Sequence, residues 1–309
     1  MCGGAGQRSE DDAGDGEQLK KKAFPWHSHS RYEGLHLEVQ VRLINARIAA
    51  VRDVMGITKL LSRFKQGKRH YSFPEGVRIY AVGDVHGCLE PLKRLEEKIM
   101  LSARDCGLNA GVIFLGDYVD RGPDVTGVLD HLSRGNFAGL PTRFLMGNHE
   151  EMFIEAMAQP SLIRDWLRWG GMATLASYRV TLPQGADPRE RDQIIADAMA
   201  AALPSHHRDF LERLEVSIRL GDYLFVHAGI RPGRPLEKQS RHDMLSIREP
   251  FLSSPKQLPC RVVHGHSVSF DVQMTPSRIG IDTGAYATGR LSAILIENGR
   301  TEILSAGGE

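Results

Sequence analysis

The feature that most constrains this chain is a series of short apolar segments, each ending in a polar loop that contains glycine. Apolar, β-branched runs of this length are typical of buried strands, and glycine lets the backbone turn sharply where a strand ends. Helical patterns at 89–103 and 125–135 separate the first three segments, which indicates βαβ units and an α/β (α+β) fold with a mixed sheet. The segments are RIYAVGDVHGC (78–88), VIFLGDYVDRG (112–122), TRFLMGNHE (142–150), YLFVHAGI (223–230), RVVHGHS (261–267) and IGIDTGAY (279–286).

Polar side chains follow these strands at the points where the strands end. Ligands of α/β sheets bind at such strand ends, and buried imidazoles, amides and carboxylates are costly to leave without partners. A pair of divalent cations would give these imidazole, amide and carboxylate groups partners at once. A mixture of oxygen and imidazole donors suits manganese, iron or zinc better than calcium. The residues concerned are Asp84, His86, Asp117, Asp120, Arg121, Asn148, His149, His227, His264 and His266.

Three of the loops carry a family resemblance. GDVHG, GDYVDRG and GNHE resemble the signature of the calcineurin-like metallophosphoesterases. GDYVDRG is similar, more narrowly, to the serine/threonine phosphoprotein phosphatase branch with its bacterial members. The resemblance covers about residues 73 to 304. It implies a two-sheet β-sandwich with flanking helices, with the active site at the strand ends.

The resemblance also implies a ligand set for two divalent metal ions, with Mn²⁺ favoured and Fe or Zn as alternatives. Asp84 and His86 would hold the first ion, Asp117 would bridge both, and the second would be completed by Asn148, His227 and His266. His266 is preferred over His264 because the ligand of the family directly follows a small residue, here Gly265. His264 is then expected to lie beside the metal site and not to bind metal.

Four further residues receive catalytic roles from the same resemblance, in which a metal-bound hydroxide attacks phosphorus directly. His149 would be the general acid that protonates the leaving group, and Asp120 would orient it. Arg121 would bind phosphate oxygens with its planar guanidinium. Arg248 resembles a second phosphate-binding arginine, although a surface ion pair with Glu249 or a neighbour is an equal alternative.

The resemblance leaves three hypotheses about the substrate open. The first is a serine/threonine protein phosphatase that acts on phosphoproteins or small phosphoesters. The second is a symmetrical diadenosine-tetraphosphate hydrolase. That group typically has tryptophan where Ser267 stands and a cysteine-rich stretch in place of 285–287, which favours the first hypothesis. The third is a catalytically silent binding scaffold, which the complete set of ligand residues disfavours.

The organisation of the chain is predicted in three parts. Residues 1–34 are polar and acidic and are expected to be disordered. Residues 35–70 form an amphipathic, basic lead-in, in which an apolar stripe over 37–55 could pack on the domain or support self-association. Residues 71–309 form the metallophosphoesterase domain, and 151–222 is a helix-rich insertion expected to cap the site.

Three local signals refine this organisation. Asp187 is predicted to cap a helix that begins with Pro188, and Ser205 is predicted to cap a second one. Asn298-Gly299 is expected to form a tight hairpin turn between the last two strands.

Composition excludes several other classes of protein. The 309 residues are 41% hydrophobic and 25% charged, with a net charge of +1, so no strong field would attract nucleic acid. The N-terminus lacks the apolar region of a secretory signal, and no apolar run is long enough to cross a bilayer. The four cysteines are scattered and predict no disulfide framework. We therefore expect a cytoplasmic protein without stable membrane insertion or a nucleic-acid partner.

Overall fold

A computed structural model of the chain describes residues 71–104 and 109–308. The predictions for 1–34 and 35–70, including self-association through 37–55, lie outside the described residues. Within the described ranges, no helix has both the length and the apolar character needed to cross a bilayer.

The strands form two five-stranded mixed sheets. The first sheet has the order β10-β9-β1-β2-β3, in which β1, β2 and β3 are parallel, β9 pairs antiparallel with β1, and β10 pairs antiparallel with β9. Its strands are β1 (Val77–Val82), β2 (Asn109–Phe114), β3 (Thr142–Phe144), β9 (Leu291–Glu297) and β10 (Arg300–Ala306).

The second sheet has the order β4-β5-β6-β8-β7, in which β5, β6 and β8 are parallel and the two edge strands run antiparallel. Its strands are β4 (Ser217–Leu220), β5 (Tyr223–Val226), β6 (Arg261–His264), β7 (Gln273–Met274) and β8 (Arg278–Gly280).

The two sheets pack face to face around one apolar core. Alternate residues of each strand point to the same face, so Ile79 and Ala81 of β1 meet Tyr223 and Phe225 of β5 in a single cluster of buried side chains. The outer face of the second sheet is covered by a separate cluster that includes Phe251. The central strands of the second sheet are therefore buried on both faces, and the predicted two-sheet sandwich with flanking helices is confirmed.

Helices flank the sandwich and fill the long connection between β3 and β4. A π-helical turn, Leu167–Gly171, and two 3-10 turns, Pro160–Leu162 and Leu236–Lys238, complete the helical structure of the described residues. The α-helices are α1 (Leu89–Ala103), α2 (Val125–Leu132), α3 (Asn148–Ala158), α4 (Ile163–Trp166), α5 (Met172–Ser177), α6 (Pro188–Ala202), α7 (Ser205–Glu212), α8 (Arg241–Ser246) and α9 (Ala285–Thr288).

The local predictions have mixed outcomes. Asp187 caps α6 by accepting a hydrogen bond from the Arg189 amide, and Pro188 is the first helical residue, as predicted. Asn298 and Gly299 have φ angles of 47° and 74° and join β9 to β10 in the predicted hairpin. The prediction that Ser205 caps a helix is wrong, because α7 begins at Ser205 itself and Pro204 occupies the capping position without a side-chain bond.

The segment 151–222, predicted as a helical cap, is helical only as far as Glu212. Its last part is strand β4, which pairs with β5 along Ser217–Leu220 and forms an edge of the second sheet. The last part of this segment is therefore a strand of the sandwich and does not belong to the helical part.

Candidate active site

The predicted site residues lie where five strands end. Asp84 follows β1, Asp117 follows β2, Asn148 follows β3, and His227 and His266 follow β5 and β6. Backbone hydrogen bonds fix the first two loops together, since the amides of Val85 and His86 both donate to the Asp117 carbonyl at 3.0 and 2.8 Å. The carboxyl ends of the parallel strands in both sheets therefore converge on one buried polar cluster.

Asp117 is the centre of this cluster. Its Oδ2 lies 3.3 Å from His86 Nε2, and its Oδ1 lies 3.4 Å from His227 Nε2. Potential ligand atoms within 4.8 Å of one another form one group of His86, Asp117 and His149, and another of Asp117, His227 and His266. One carboxylate thus faces two neighbouring groups of donors, as expected of a ligand that bridges two metal ions.

Hydrogen bonds fix which imidazole nitrogen is available for metal. His86 Nδ1 lies 2.7 Å from the Val119 carbonyl, and His227 Nδ1 lies 2.8 Å from the Leu115 carbonyl. Because a carbonyl only accepts, each Nδ1 carries the proton and each Nε2 of a neutral ring presents a lone pair. This arrangement is typical of histidines that bind metal through Nε2.

The contacts of His227 test whether a cation fits. Burial lowers the pKa of His227, so the ring is neutral and its Nε2 is an acceptor. That nitrogen nevertheless faces two other acceptors, Asn148 Oδ1 at 3.0 Å and Asp117 Oδ1 at 3.4 Å. Lone pairs that converge in a buried site repel one another unless a cation lies between them, so these residues fit a bound metal ion.

The contacts of Asp84 and His266 also fit a bound metal ion. Asp84 accepts a hydrogen bond from the His266 amide at 3.0 Å, while His266 Nδ1 lies 2.8 Å from Asn148 Oδ1. Burial, together with the carboxylates of Asp282 and Asp117, raises the pKa of Asp84 well above its usual value. Burial also lowers the pKa of His266 to about 3, so its ring is neutral and competent to bind metal. The described residues supply an excess of buried negative charge that divalent cations would balance.

Close backbone approach explains the glycine before His266. A Cβ atom at Gly265 would lie 2.0 Å from Asp84 Oδ1, so a larger residue would push the β6 loop away from the first loop. His264, one residue before this glycine, is in neither metal-binding group and packs its ring 5.0 Å from that of Phe251. Burial lowers the pKa of His264 to about 4, which keeps the ring neutral inside the sheet.

Left-handed backbone is concentrated at the site. Among the described residues, eight other than glycine have a positive φ, and five of them belong to the metal-binding and catalytic loops. Each such conformation costs on the order of 1 kcal/mol or more and persists only where surrounding contacts hold it. The five are His86 (42°), Asp117 (53°), Asp120 (67°), Arg121 (67°) and His266 (62°).

Glu150 joins the strained Asp117 loop to the loop at Gly147, a role that the sequence reasoning missed. Its Oε1 accepts hydrogen bonds from the amides of Tyr118 and Val119 at 2.7 and 3.1 Å, and its Oε2 accepts from those of Asp117 and Gly147 at 2.9 Å each. Burial and the Asp117 carboxylate raise the pKa of Glu150 to about 7, although the four amides favour its ionised form. The glutamate that follows GNH was the available signal.

His149 and Asp120 form a buried hydrogen-bonded pair. His149 Nδ1 lies 2.7 Å from Asp120 Oδ2, and His149 Nε2 is buried without a hydrogen-bond partner. The other oxygen of Asp120 accepts from Trp166 Nε1 at 3.1 Å and from Thr174 Oγ1 at 2.6 Å. Burial opposes protonation of His149, but the carboxylates of Asp117 and Asp120 outweigh it and raise its pKa. Trp166 and Thr174 therefore fix Asp120, and Asp120 fixes the imidazole.

The two predicted phosphate-binding arginines lie at the rim of the cluster. Arg121 Nη1 lies 3.1 Å from His86 Nε2, and the guanidinium stacks 4.8 Å from the ring of Tyr286. Arg248 donates from Nη2 to the His266 carbonyl at 3.1 Å. The described residues show no ion pair between Arg248 and Glu249, and the role of Arg248 stays a prediction.

Cys88 is close in sequence to the first loop but has the environment of a structural residue. The side chain is buried, and burial raises the pKa of its thiol to about 11. A thiol with that pKa is not ionised at neutral pH, so Cys88 is not an activated nucleophile.

A two-sheet sandwich whose strand ends gather two groups of metal ligands around a shared aspartate defines the protein as a metallophosphoesterase-type hydrolase. The sequence model of the calcineurin-like phosphoesterase family matches residues 77–294, and the chain belongs to that family. The predicted family is thereby confirmed.

The curated relatives include two activities. A symmetrical bis(5'-nucleosyl)-tetraphosphatase of Paracidovorax citrulli is 30% identical over 165 residues, which are 53% of this chain and 48% of the relative. Serine/threonine-protein phosphatase 1 of Salmonella typhimurium is 36% identical over 94 residues, which are 30% of this chain and 38% of the relative. The chain thus spans about half the length, or less, of the curated relatives that it matches.

A solved structure has the same fold. The crystal structure of "a putative diadenosine tetraphosphatase" superposes with a TM-score of 0.51 at 22% identity, covering 77% of this chain and all of that one. At this identity the likeness establishes the shared architecture and leaves the substrate open.

Proposed function

We propose that the protein is a dinuclear metal-dependent phosphomonoesterase, and that its substrates are serine/threonine phosphoproteins or small alkyl phosphates. The observation that carries this proposal is the buried His149–Asp120 pair, whose Nε2 has no protein partner. An alkoxide leaving group must receive a proton as the bond to phosphorus breaks, and a positioned imidazole supplies it. A leaving group that is already a stable anion has no need of such a donor.

The residues that would hold the metals are those that converge on Asp117. Asp84, His86 and Asp117 would bind one ion, and Asn148, His227 and His266 would join Asp117 around the other. In support, the three histidines lie near Asp117, Asp84 accepts a hydrogen bond from the His266 amide, and Asn148 Oδ1 lies 2.8 Å from His266 Nδ1. Two bound cations would supply an acidified water as the nucleophile and neutralise charge on the phosphoryl group. Mn²⁺ is the proposed metal, with Fe or Zn as alternatives for the same donor set.

The remaining roles belong to the side chains around these ligands. Arg121 and Arg248 would bind the phosphoryl oxygens, because each guanidinium offers a planar set of donors. His149 Nε2 would protonate the leaving oxygen, while Asp120 holds the proton on Nδ1. We further propose a cytoplasmic location, since four scattered cysteines fit a reducing compartment.

A second candidate is hydrolysis of dinucleoside tetraphosphates. Several curated relatives carry that name, among them the one from Paracidovorax citrulli. Two exposed rings also border the site: Trp169 lies 6.3 Å from the His149 ring, and Tyr286 lies 5.4 Å from the His86 ring. Aromatic faces in such positions could stack on a nucleobase. The nucleotide leaving group of this reaction would depend little on His149.

The two candidates are separated by a panel of substrates assayed with manganese and with chelator. The panel comprises phosphoserine, phosphothreonine and phosphotyrosine peptides, p-nitrophenyl phosphate and diadenosine tetraphosphate. We expect manganese-dependent release of phosphate from the phosphoserine and phosphothreonine peptides. In the Asn148→Ala variant, the rate of phosphate release from these peptides should fall more than about 100-fold, because a metal ligand is lost.

Other outcomes would change the proposal in defined ways. Turnover of diadenosine tetraphosphate alone would move the substrate class to dinucleotides while keeping the metal site. Metal-loaded protein that is inactive on every substrate would overturn the phosphomonoesterase proposal and revive the hypothesis of a binding scaffold.

A further inference from the structure

A second group of metal-binding side chains lies outside the Asp117 cluster, between helices α2 and α7. Asp130 belongs to α2, and His206 and His207 belong to the first turn of α7. His206 Nε2 lies 2.8 Å and His207 Nε2 lies 2.9 Å from the same oxygen, Asp130 Oδ1. We propose that these three residues bind one zinc-like transition-metal ion that joins α7 to α2.

The donor set matches this class of ion. Two imidazole nitrogens and one carboxylate oxygen are ligands that Zn²⁺, Co²⁺ and Ni²⁺ accept, and the three atoms lie within 4.8 Å of one another. Three protein ligands leave one position of a tetrahedral ion for water. The site is open to solvent, since the side chains of Asp130 and His206 are each 52% exposed.

Small rotations would bring the ligands to bonding distance. Tetrahedral ligands placed about 2.0–2.1 Å from zinc lie roughly 3.4 Å apart, a little more than the present nitrogen–oxygen distances. Asp130 and His206 can open by this amount because each is half exposed. His207 can remain fixed, because its side chain is fully buried.

His207 also has the support typical of a metal ligand. Its Nδ1 lies 2.6 Å from the Tyr178 hydroxyl, which orients the ring so that Nε2 faces Asp130. When the hydroxyl accepts the Nδ1 proton, Nε2 presents its lone pair. Burial also lowers the pKa of His207, which favours the neutral ring that binds metal.

The position of the site indicates a structural role. Phe210 of α7 packs its ring 5.3 Å from that of Tyr118, which follows Asp117, and α2 begins shortly after Arg121. A metal ion at Asp130 would therefore tie the end of the helical connection to the helix that leaves the arginine loop. An ion that binds only the folded chain stabilises it in proportion to its occupancy.

The proposal is tested by counting metal ions in untagged, full-length protein. After stripping with chelator and dialysis against Zn²⁺, wild-type protein should retain three equivalents by elemental analysis. His206→Ala should retain two, with the affinity for the third weakened more than about tenfold. The matched control is His242→Ala, since His242 is also exposed and lies outside every group of candidate ligands found in residues 71–104 and 109–308.

A second variant and a second readout keep the test decisive. Asp130→Asn should lose the same equivalent, and the Zn²⁺-dependent rise in melting temperature should be smaller in both variants than in His242→Ala. Equal zinc content and equal thermal shifts in all four proteins would overturn the proposal. The result is independent of the phosphatase assay, because the Asp117 ligands are intact in every variant.

Discussion

Replacing His149 with alanine is expected to lower turnover of a phosphoserine peptide by about 10²–10⁴-fold, the usual contribution of a positioned general acid. Turnover of p-nitrophenyl phosphate should fall much less. The serine alkoxide is a strong base that must be protonated as it leaves, whereas p-nitrophenolate is a stable anion. The ratio of the two rates therefore measures proton donation and separates it from any general damage to the site.

The measurement is kcat/KM on both substrates, with manganese content determined for each variant. Asn148→Ala is the matched control, because the loss of a metal ligand should affect both substrates alike. Equal losses on the two substrates in His149→Ala, at unchanged metal content, would contradict the general-acid role.

Asp120→Asn should resemble His149→Ala in the direction of its effect. The amide can retain the contacts with Trp166 and Thr174, but its NH₂ group can replace the oxygen that faces His149 Nδ1. The NH₂ group cannot accept the Nδ1 proton, and the negative charge that raises the pKa of His149 is lost, so less of the doubly protonated imidazole that acts as the acid would be present. A preserved fold with a selective loss on the phosphoserine peptide would identify Asp120 as a positioning residue.

The strand ends were the part of the site that sequence could predict. Each ligand directly follows an apolar run, so chain order alone places Asp84 after β1 and Asp117 after β2. Parallel strands then bring their carboxyl ends to one edge of each sheet. The convergence of the five loops follows from local pattern and simple topology.

The supporting contacts could not be predicted in the same way. Trp166 and Thr174 meet Asp120 from 46 and 54 residues further along the chain, through a turn in which Gly170 has a φ of 120°. No periodicity encodes such a contact, because it depends on how the helical connection packs. The cap at Ser205 was misplaced for a more local reason, since Pro204 takes the capping position and the serine enters the helix.

Strand β4, at the end of the helical connection, could not be predicted from the sequence either. The helix-rich character of the connection was predicted, but β4 is only four residues long and lies at a sheet edge. So short a strand gives no clear alternation, and its place is fixed by pairing with β5. The position of β4 in the fold therefore depends on its pairing with β5 and not on its local sequence.

Glu150→Gln is expected to lower the free energy of unfolding by about 1–3 kcal/mol, the cost of leaving buried amide donors without an acceptor. Glutamine keeps one acceptor oxygen, so two of the four backbone amides would lose their partner and face an NH₂ group. Those amides fix the left-handed conformation at Asp117, so the strained loop would relax. Because the raised pKa of Glu150, about 7, means that its ionised form costs the folded state stability, urea unfolding of metal-free protein is measured at pH 6 and at pH 8, and the difference between wild type and variant should be smaller at pH 8. Glu151→Gln is the matched control, because that carboxylate forms only a partly exposed ion pair with Arg241 and should cost less than about 1 kcal/mol. Equal midpoints for the two variants would show that the amides around Asp117 hold their conformation without Glu150.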